Sequence, residues 1–185
     1  TLVGATTRLS LLSAPLRDRF GVTFHLDFYA PEEMATILER SARLLQVDLH
    51  PSACDLISHR SRRTPRIGNR LLKRVRDYAQ VMADGRLEHQ IVERALTALE
   101  IDQRGLDDAD RRILKTLIEK FQGGPVGLTT LAAATAEEVE TLEEVIEPFL
   151  LQEGLLARTP RGRIATEDAY KHLGFTVPAQ LGILL

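Results

Sequence analysis

Tryptophan is absent, and three tyrosines and six phenylalanines are the only aromatics in 185 residues, so aliphatic side chains must fill any core the chain builds. One cysteine excludes an internal disulfide. Cys54 lies in SACDLISH, whose spacing is helical, and reads as a small buried hydrophobe rather than a reactive thiol. No apolar run approaches the ~20 residues that span a bilayer, and the first residues lack the basic-then-apolar order of a secretory signal. The expectation is a cytoplasmic protein with no membrane segment. The five histidines (His25, His50, His59, His89, His172) show no ligand spacing, so no metal site is expected. No glycine-rich loop closes on Lys-Ser/Thr, and no nucleophile motif surrounds Ser10, Ser13 or Ser58. The chain alone is therefore expected neither to bind and hydrolyse a nucleotide nor to act as a hydrolase. The first residues, TLVGATTR, include no methionine and read as the end of a buried strand, which suggests a piece of something longer.

What is present is mostly helix. After TLVGA, the alternation in VTFHLDFY (22–29) predicts a second short strand. Pro31 with two acids behind it opens a helix to about Gln46, with Met34, Ile37, Leu38, Leu44 and Leu45 on its apolar face. Pro51 opens a second, to about Ser61. Thr64 and Pro65 suit the N-cap and first position of a third, on which Ile67, Leu71, Val75, Tyr78, Ala79 and Met82 mark one face. EHQIVERALTALEI supplies a fourth, completing a small bundle before a polar linker at 102–108. The rhythm then changes. DADRRILKTLIEKF and LTTLAAAT predict two helices about a GGPVG turn, and AEEVETLEEVIEPFLLQEG predicts a longer one. LLART and RIAT, about a PRG turn, predict a hairpin before the last helix, EDAYKHLG. Three helices and a hairpin make a winged helix; the tail FTVPAQLGILL is unassigned.

Charge is balanced overall, at a net −2, so any attraction for nucleic acid must be local. Eight Lys or Arg fall between 60 and 76 with no acid among them, a pattern that fits a solvated face. Arg66 differs because it lies in the first turn of a helix, where unpaired N–H groups and the dipole already favour an anion such as phosphate. The hairpin carries Arg158, Arg161 and Arg163, a set that also suits simple solubility. The preceding helix has seven glutamates between Glu137 and Glu153 and no Lys or Arg. Phosphates would be repelled there, so any DNA contact is expected through the wing, with the backbone rather than the bases.

GATTR, LSAPLRDRFG, TPRIGNRLLKRVRDYA, DRRILKTLIEKFQGGPVGLTTLAAA and IEPFLLQEGLLARTPRGRIAT together resemble the RuvB family of AAA+ ATPases, across nearly the whole chain and in order. The resemblance implies a mainly α chain: the end of an AAA+ α/β core (1–26), a helical lid (27–102), a winged-helix DNA-binding domain (103–176) and a tail (177–185). It implies sensor 1 at Thr7, an arginine finger acting in trans at Arg19, sensor 2 at Arg66 and a nucleotide-base contact at Tyr29, with Arg17 left to pair with Asp18 or a subunit interface. It also implies the family's work, ATP- and Mg²⁺-dependent branch migration of Holliday junctions in recombination and repair, by a homo-hexamer that meets duplex DNA through Arg158, Arg161 and Arg163. RuvA would contact an upstream domain.

Two departures stand out. Family members often have Gly before TPR, where this chain has Arg63, and some carry Arg where it has Val139. Two other classes fit parts of the chain. One is a winged-helix DNA-binding or protein-interaction module without motor activity, of which the acidic helix opposes a sequence-specific regulator. A clamp-loader relative is opposed by the wing, since clamp loaders end in a helical collar.

Overall fold

The computed structural model describes residues 1–6 and 8–178. Thr7, the sensor 1 candidate, and most of the 177–185 tail lie outside the described residues. Neither expected N-terminal strand forms among them. Leu2, Val3, Phe24 and Leu26 are exposed, because no strand lies beside them to take up their backbone hydrogen bonds. Between those segments stand a 3₁₀ turn (Leu9–Leu11) and a one-turn helix α1 (Ala14–Arg17).

The bundle follows the sequence closely. α2 (Pro31–Leu44) begins where the Ala30 N–H donates to Glu33 Oε2 at 2.7 Å, and it buries Met34, Leu38 and Ala42 at four-residue spacing. It stops short of the expected end because Gln46 takes a left-handed φ of 54°, and Leu44 faces solvent. α3 (Pro51–His59), α4 (Pro65–Met82) and α5 (His89–Ala98) pack around Ile57, Leu72, Val75, Val92 and Leu96. Each such buried aliphatic side chain stabilises the fold by about 1.5–3 kcal/mol. Leu72 was not expected on the buried face, whereas Met82, which was, is exposed with Val81 where α4 overruns the bundle. Thr64 holds the N-cap position, but its hydroxyl donates to the Arg62 carbonyl (2.9 Å) instead of capping.

A second core joins α6 (Asp108–Phe121), α7 (Leu128–Thr135), α8 (Val139–Thr141), α9 (Glu147–Gln152) and α10 (Glu167–Leu173) to the hairpin β1 (Leu156–Thr159) and β2 (Gly162–Ala165). The single helix expected over 136–154 is not regular. Leu142–Ile146 is a π-helical turn, in which the Glu147 N–H reaches back five residues to the Leu142 carbonyl. Pro148, which has no N–H to give, sits just beyond that widening, where a regular helix would be broken in any case. The two strands pair antiparallel with Arg158 opposite Arg163 and Thr159 opposite Gly162. Val126 adds a bridge to Arg163 on the far side of β2. Gly162, at φ +139°, is required there: a Cβ would lie 2.4 Å from the Val126 carbonyl oxygen.

Candidate functional site

The wing is organised by a carboxylate that composition does not single out. Glu147 has no exposed surface; its Oε1 accepts from Arg158 Nε (2.7 Å) and Arg163 Nε (3.0 Å), and its Oε2 from Arg163 (3.1 Å). Burial alone would raise its pKa, but the hydrogen bonds from Arg158 and Arg163 overcome that and hold the carboxyl below its ordinary value. The same contacts push Arg158 up. The three wing arginines are therefore unlike one another. Arg163 is 18% exposed and locked against Glu147. Arg158 is 54% exposed, and among the described residues only its Nε is engaged. Arg161, at the tip, is exposed and forms no ion pair among the described residues.

The acidic helix is less free than its composition implies. Glu137 pairs with Arg112, and Glu140 and Glu144 meet Arg8, while Glu138 and Glu143 stay exposed. The basic run 60–76 also divides. Arg60 is buried and clamps both oxygens of Glu93 at 2.7 and 2.9 Å. Arg62 turns to the 102–110 segment. Arg66, Arg70, Lys73 and Arg74 are exposed along α4, as a solvated face requires.

Arg66 stands in the first turn of the eighteen-residue α4, exposed and without an ion pair among the described residues. Tyr29 is 42% exposed, and its backbone is paired with Arg63: the Tyr29 N–H donates to the Arg63 carbonyl, and Arg63 Nε donates back at 2.9 Å. Arg63 holds φ +53°, a left-handed conformation in which Gly would be unstrained. Arg19 is exposed in the turn after α1, where its N–H donates to the Leu16 carbonyl, and the half-buried Phe20 ring lies against Gly4. Arg17 forms no pair with Asp18 among the described residues. The structure thus joins Arg158 and Arg163 on one carboxylate, and it brings Tyr29 to the loop that precedes Arg66.

Sequence reasoning missed Glu147, Arg62 and Asp110. Glu147 had a signal, as the one charge inside the apolar run VIEPFLL. Asp110 had one as well: it stands three residues after Asp107, the spacing of a capping box, and each side chain accepts the other's backbone N–H (3.1 and 2.9 Å). Arg62 had none beyond its neighbours. Cys54 is buried, as expected; burial, then Glu39 and Asp55, push its thiol up to about 11. No group of three or more His, Cys, Asp or Glu among the described residues could hold a metal ion, and no helix among them is long and apolar enough to cross a membrane.

Residues 29–102 match the family model of the RuvB AAA lid domain, and residues 103–174 that of the RuvB C-terminal winged helix domain. A Streptomyces coelicolor protein named Holliday junction branch migration complex subunit RuvB is 60% identical over 178 residues, which cover 96% of this chain and 50% of that protein. The Thermobifida fusca protein of the same name is 58% identical, over 96% of this chain and 51% of its own length. The chain thus spans about half the length of the curated relatives it matches. Among solved structures, a Thermotoga maritima RuvB mutant superposes with a TM-score of 0.89 at 55% identity, covering 95% of this chain and 58% of its own. A Thermotoga maritima RuvB described as a Holliday junction branch migration motor gives 0.87 at 54%, over 91% and 57%. Over its lid and its winged helix alike, the chain belongs to the RuvB family.

Proposed function

We propose that this chain supplies the lid, the arginine finger and the DNA-contacting wing of a motor subunit that uses ATP to drive branch migration of Holliday junctions. The observation that carries the reading is the joint likeness of bundle, junction and basic hairpin to branch-migration subunits, at 58–60% identity through both domains. In this reading residues 1–26 end the large ATPase domain, 27–102 are the lid, 103–176 the winged helix and 177–185 a tail. The subunit works in the cytoplasm as a homo-hexamer on duplex DNA, beside a RuvA that binds an upstream domain.

ATP is the substrate, and this chain brings only part of its site. Arg66, exposed at the start of α4, offers a guanidinium to phosphate, and the half-exposed Tyr29 ring packs on the base. Thr7 orients groups near the γ-phosphate as sensor 1, and Arg19 reaches the neighbouring subunit's nucleotide. The phosphate loop and the acids that handle Mg²⁺ belong to sequence this chain does not contain. On the DNA side, Arg161 and the outer nitrogens of Arg158 meet phosphates, while Arg163 positions the hairpin.

The finger provides the test. In a full-length subunit, Arg19→Ala should leave ATP binding intact and cut hydrolysis by about 10³- to 10⁵-fold. Mixing it with a subunit unable to bind ATP should restore part of the turnover, because each finger serves its neighbour. Mixtures that recover nothing would remove the trans role.

A further inference from the structure

Arg62 lies two residues before Thr64 and four before Arg66, yet its side chain faces away from both. It is 12% exposed, and its backbone holds a left-handed φ of +53°. Its Nε donates to the Gly105 carbonyl (3.1 Å), and a terminal nitrogen meets Asp107 Oδ2 (2.7 Å) and Asp110 Oδ2. The guanidinium carbon lies 4.5 Å from the centre of the Phe149 ring. One side chain from the lid thus touches the linker, the cap of α6 and α9. Phe149 is two residues from Glu147, which holds Arg158 and Arg163.

The surroundings tighten the same joint. Gly105 sits so close to the Arg60 backbone that a Cβ would come within 2.8 Å of its carbonyl oxygen. His172 Nε2 lies 2.7 Å from Asp102 Oδ2, and Arg111 donates to the Glu100 carbonyl at 2.8 Å. A free 102–108 linker would absorb any rotation of the lid. A linker held at its middle and its C-terminal end by a largely enclosed, forked guanidinium, and at Asp102 by His172, transmits it.

We propose that Arg62 is the positioning residue that couples the lid to the wing, so that the helix carrying Arg66 and the hairpin carrying Arg158 and Arg161 move as one body. The proposal rests on the motor reading for its consequence, but its geometry is independent of that reading. Asp107 and Asp110 share the load: either carboxylate keeps a hold on Arg62 when the other is changed. Lysine cannot replace it, since an ammonium has neither the fork nor the flat face that lies over Phe149.

The test compares Arg62→Ala, Arg62→Lys and Asp107→Asn in a full-length subunit on junction DNA with RuvA present. ATP hydrolysis and junction migration are measured together. With Arg62→Ala, hydrolysis should stay within about twofold while migration per ATP falls several-fold to about thirtyfold, the range of such couplings. Arg62→Lys should be intermediate, and Asp107→Asn milder. In parallel, spin labels at Gln80→Cys on α4 and Lys115→Cys on α6 read the lid-to-wing distance, which should be narrowly distributed with Arg62 and broad without it. Should Arg62→Ala fail to fold, Arg62→Lys and Asp107→Asn are judged by the same two readouts. Unchanged migration per ATP, migration and hydrolysis falling in proportion, or an unchanged distance distribution would each overturn the proposal. A wild-type subunit that migrates no junction would instead overturn the motor reading, with the distance measurement still deciding the coupling.

Discussion

Replacing Glu147 by glutamine isolates the contact that shapes the wing. Glutamine keeps the volume and one acceptor oxygen, but it sets an NH₂ against guanidinium donors and leaves two cations facing no carboxylate. Arg158, 54% exposed, can turn into water, so its loss is small. Arg163 cannot, because it is 18% exposed and has both its Nε and a terminal nitrogen on Glu147. Breaking a buried pair costs about 3–5 kcal/mol, and the partial wetness of Arg163 reduces that to about 2–4. In a domain of this size each kcal/mol moves Tm by about 4–8 °C, so the winged helix should melt about 10 °C lower or more. The pH dependence carries a sign. The folded carboxyl lies below its unfolded value of 4.5, so its contribution is complete above that value and is lost as pH falls through the folded one. Melts followed by circular dichroism should therefore show a wide gap between Glu147→Gln and the unsubstituted chain at neutral pH and a narrowing gap in acid. A gap under about 2 °C at pH 7, well below the shift such a cost implies, would refute the reasoning. So would a gap that widens on acidification.

The junction and the tip give two more. Burial, opposed by Arg62 and reinforced by the charge of Asp107, pushes Asp110 up to about 7. A raised carboxyl binds its proton more tightly in the folded state, so its effect on stability is most favourable in acid and declines as pH rises from about 4 to about 7. Asp110→Asn, which does not titrate, should therefore gain on the unsubstituted chain across that interval in urea melts; the opposite trend would mean that Arg62 alone governs Asp110. At the wing, Arg161→Ala should change stability by no more than about 0.5 kcal/mol. It should weaken duplex binding alike on unrelated sequences and reduce the salt slope by about one, read by fluorescence anisotropy. Arg163→Ala should instead lose stability, and a loss of affinity at unchanged stability would reverse the two roles.

The order of helices, the hairpin and its turn were legible because each rests on local rules: Pro31, Pro51 and Pro65 open helices, and PRG closes a two-strand turn. The N-terminal strands were misread for a physical reason. Alternation in VTFHLDFY records which side chains a sheet would bury, but a strand exists only when a neighbour pairs with it. The π-helical turn before Pro148 was beyond reach, since proline announces a disturbance without specifying its form. The site was legible by charge type more than by position. Arg60, Arg62, Arg66 and Arg70 look alike in sequence, and only tertiary packing separates the buried Arg60 and the mostly covered Arg62 from the two that face solvent. The same holds for the glutamates of the acidic helix, of which Glu147 alone is fully buried.

That buried glutamate limits what the wing can do. One carboxylate against Arg158 and Arg163 leaves a local excess of a single positive charge, and Arg161 adds another at the tip. Such a surface attracts a phosphate backbone, but it offers few free donors with which to read base edges. Glu138 and Glu143, exposed on the neighbouring helical segment, repel the same backbone and confine any approach to the hairpin. A protein that steps along DNA needs a contact of this kind, indifferent to sequence and held at a fixed angle to the body that moves it. In the motor reading proposed above, Glu147 meets the second requirement by spending most of Arg163 on the fold, and it leaves Arg161 and the outer face of Arg158 free to meet DNA.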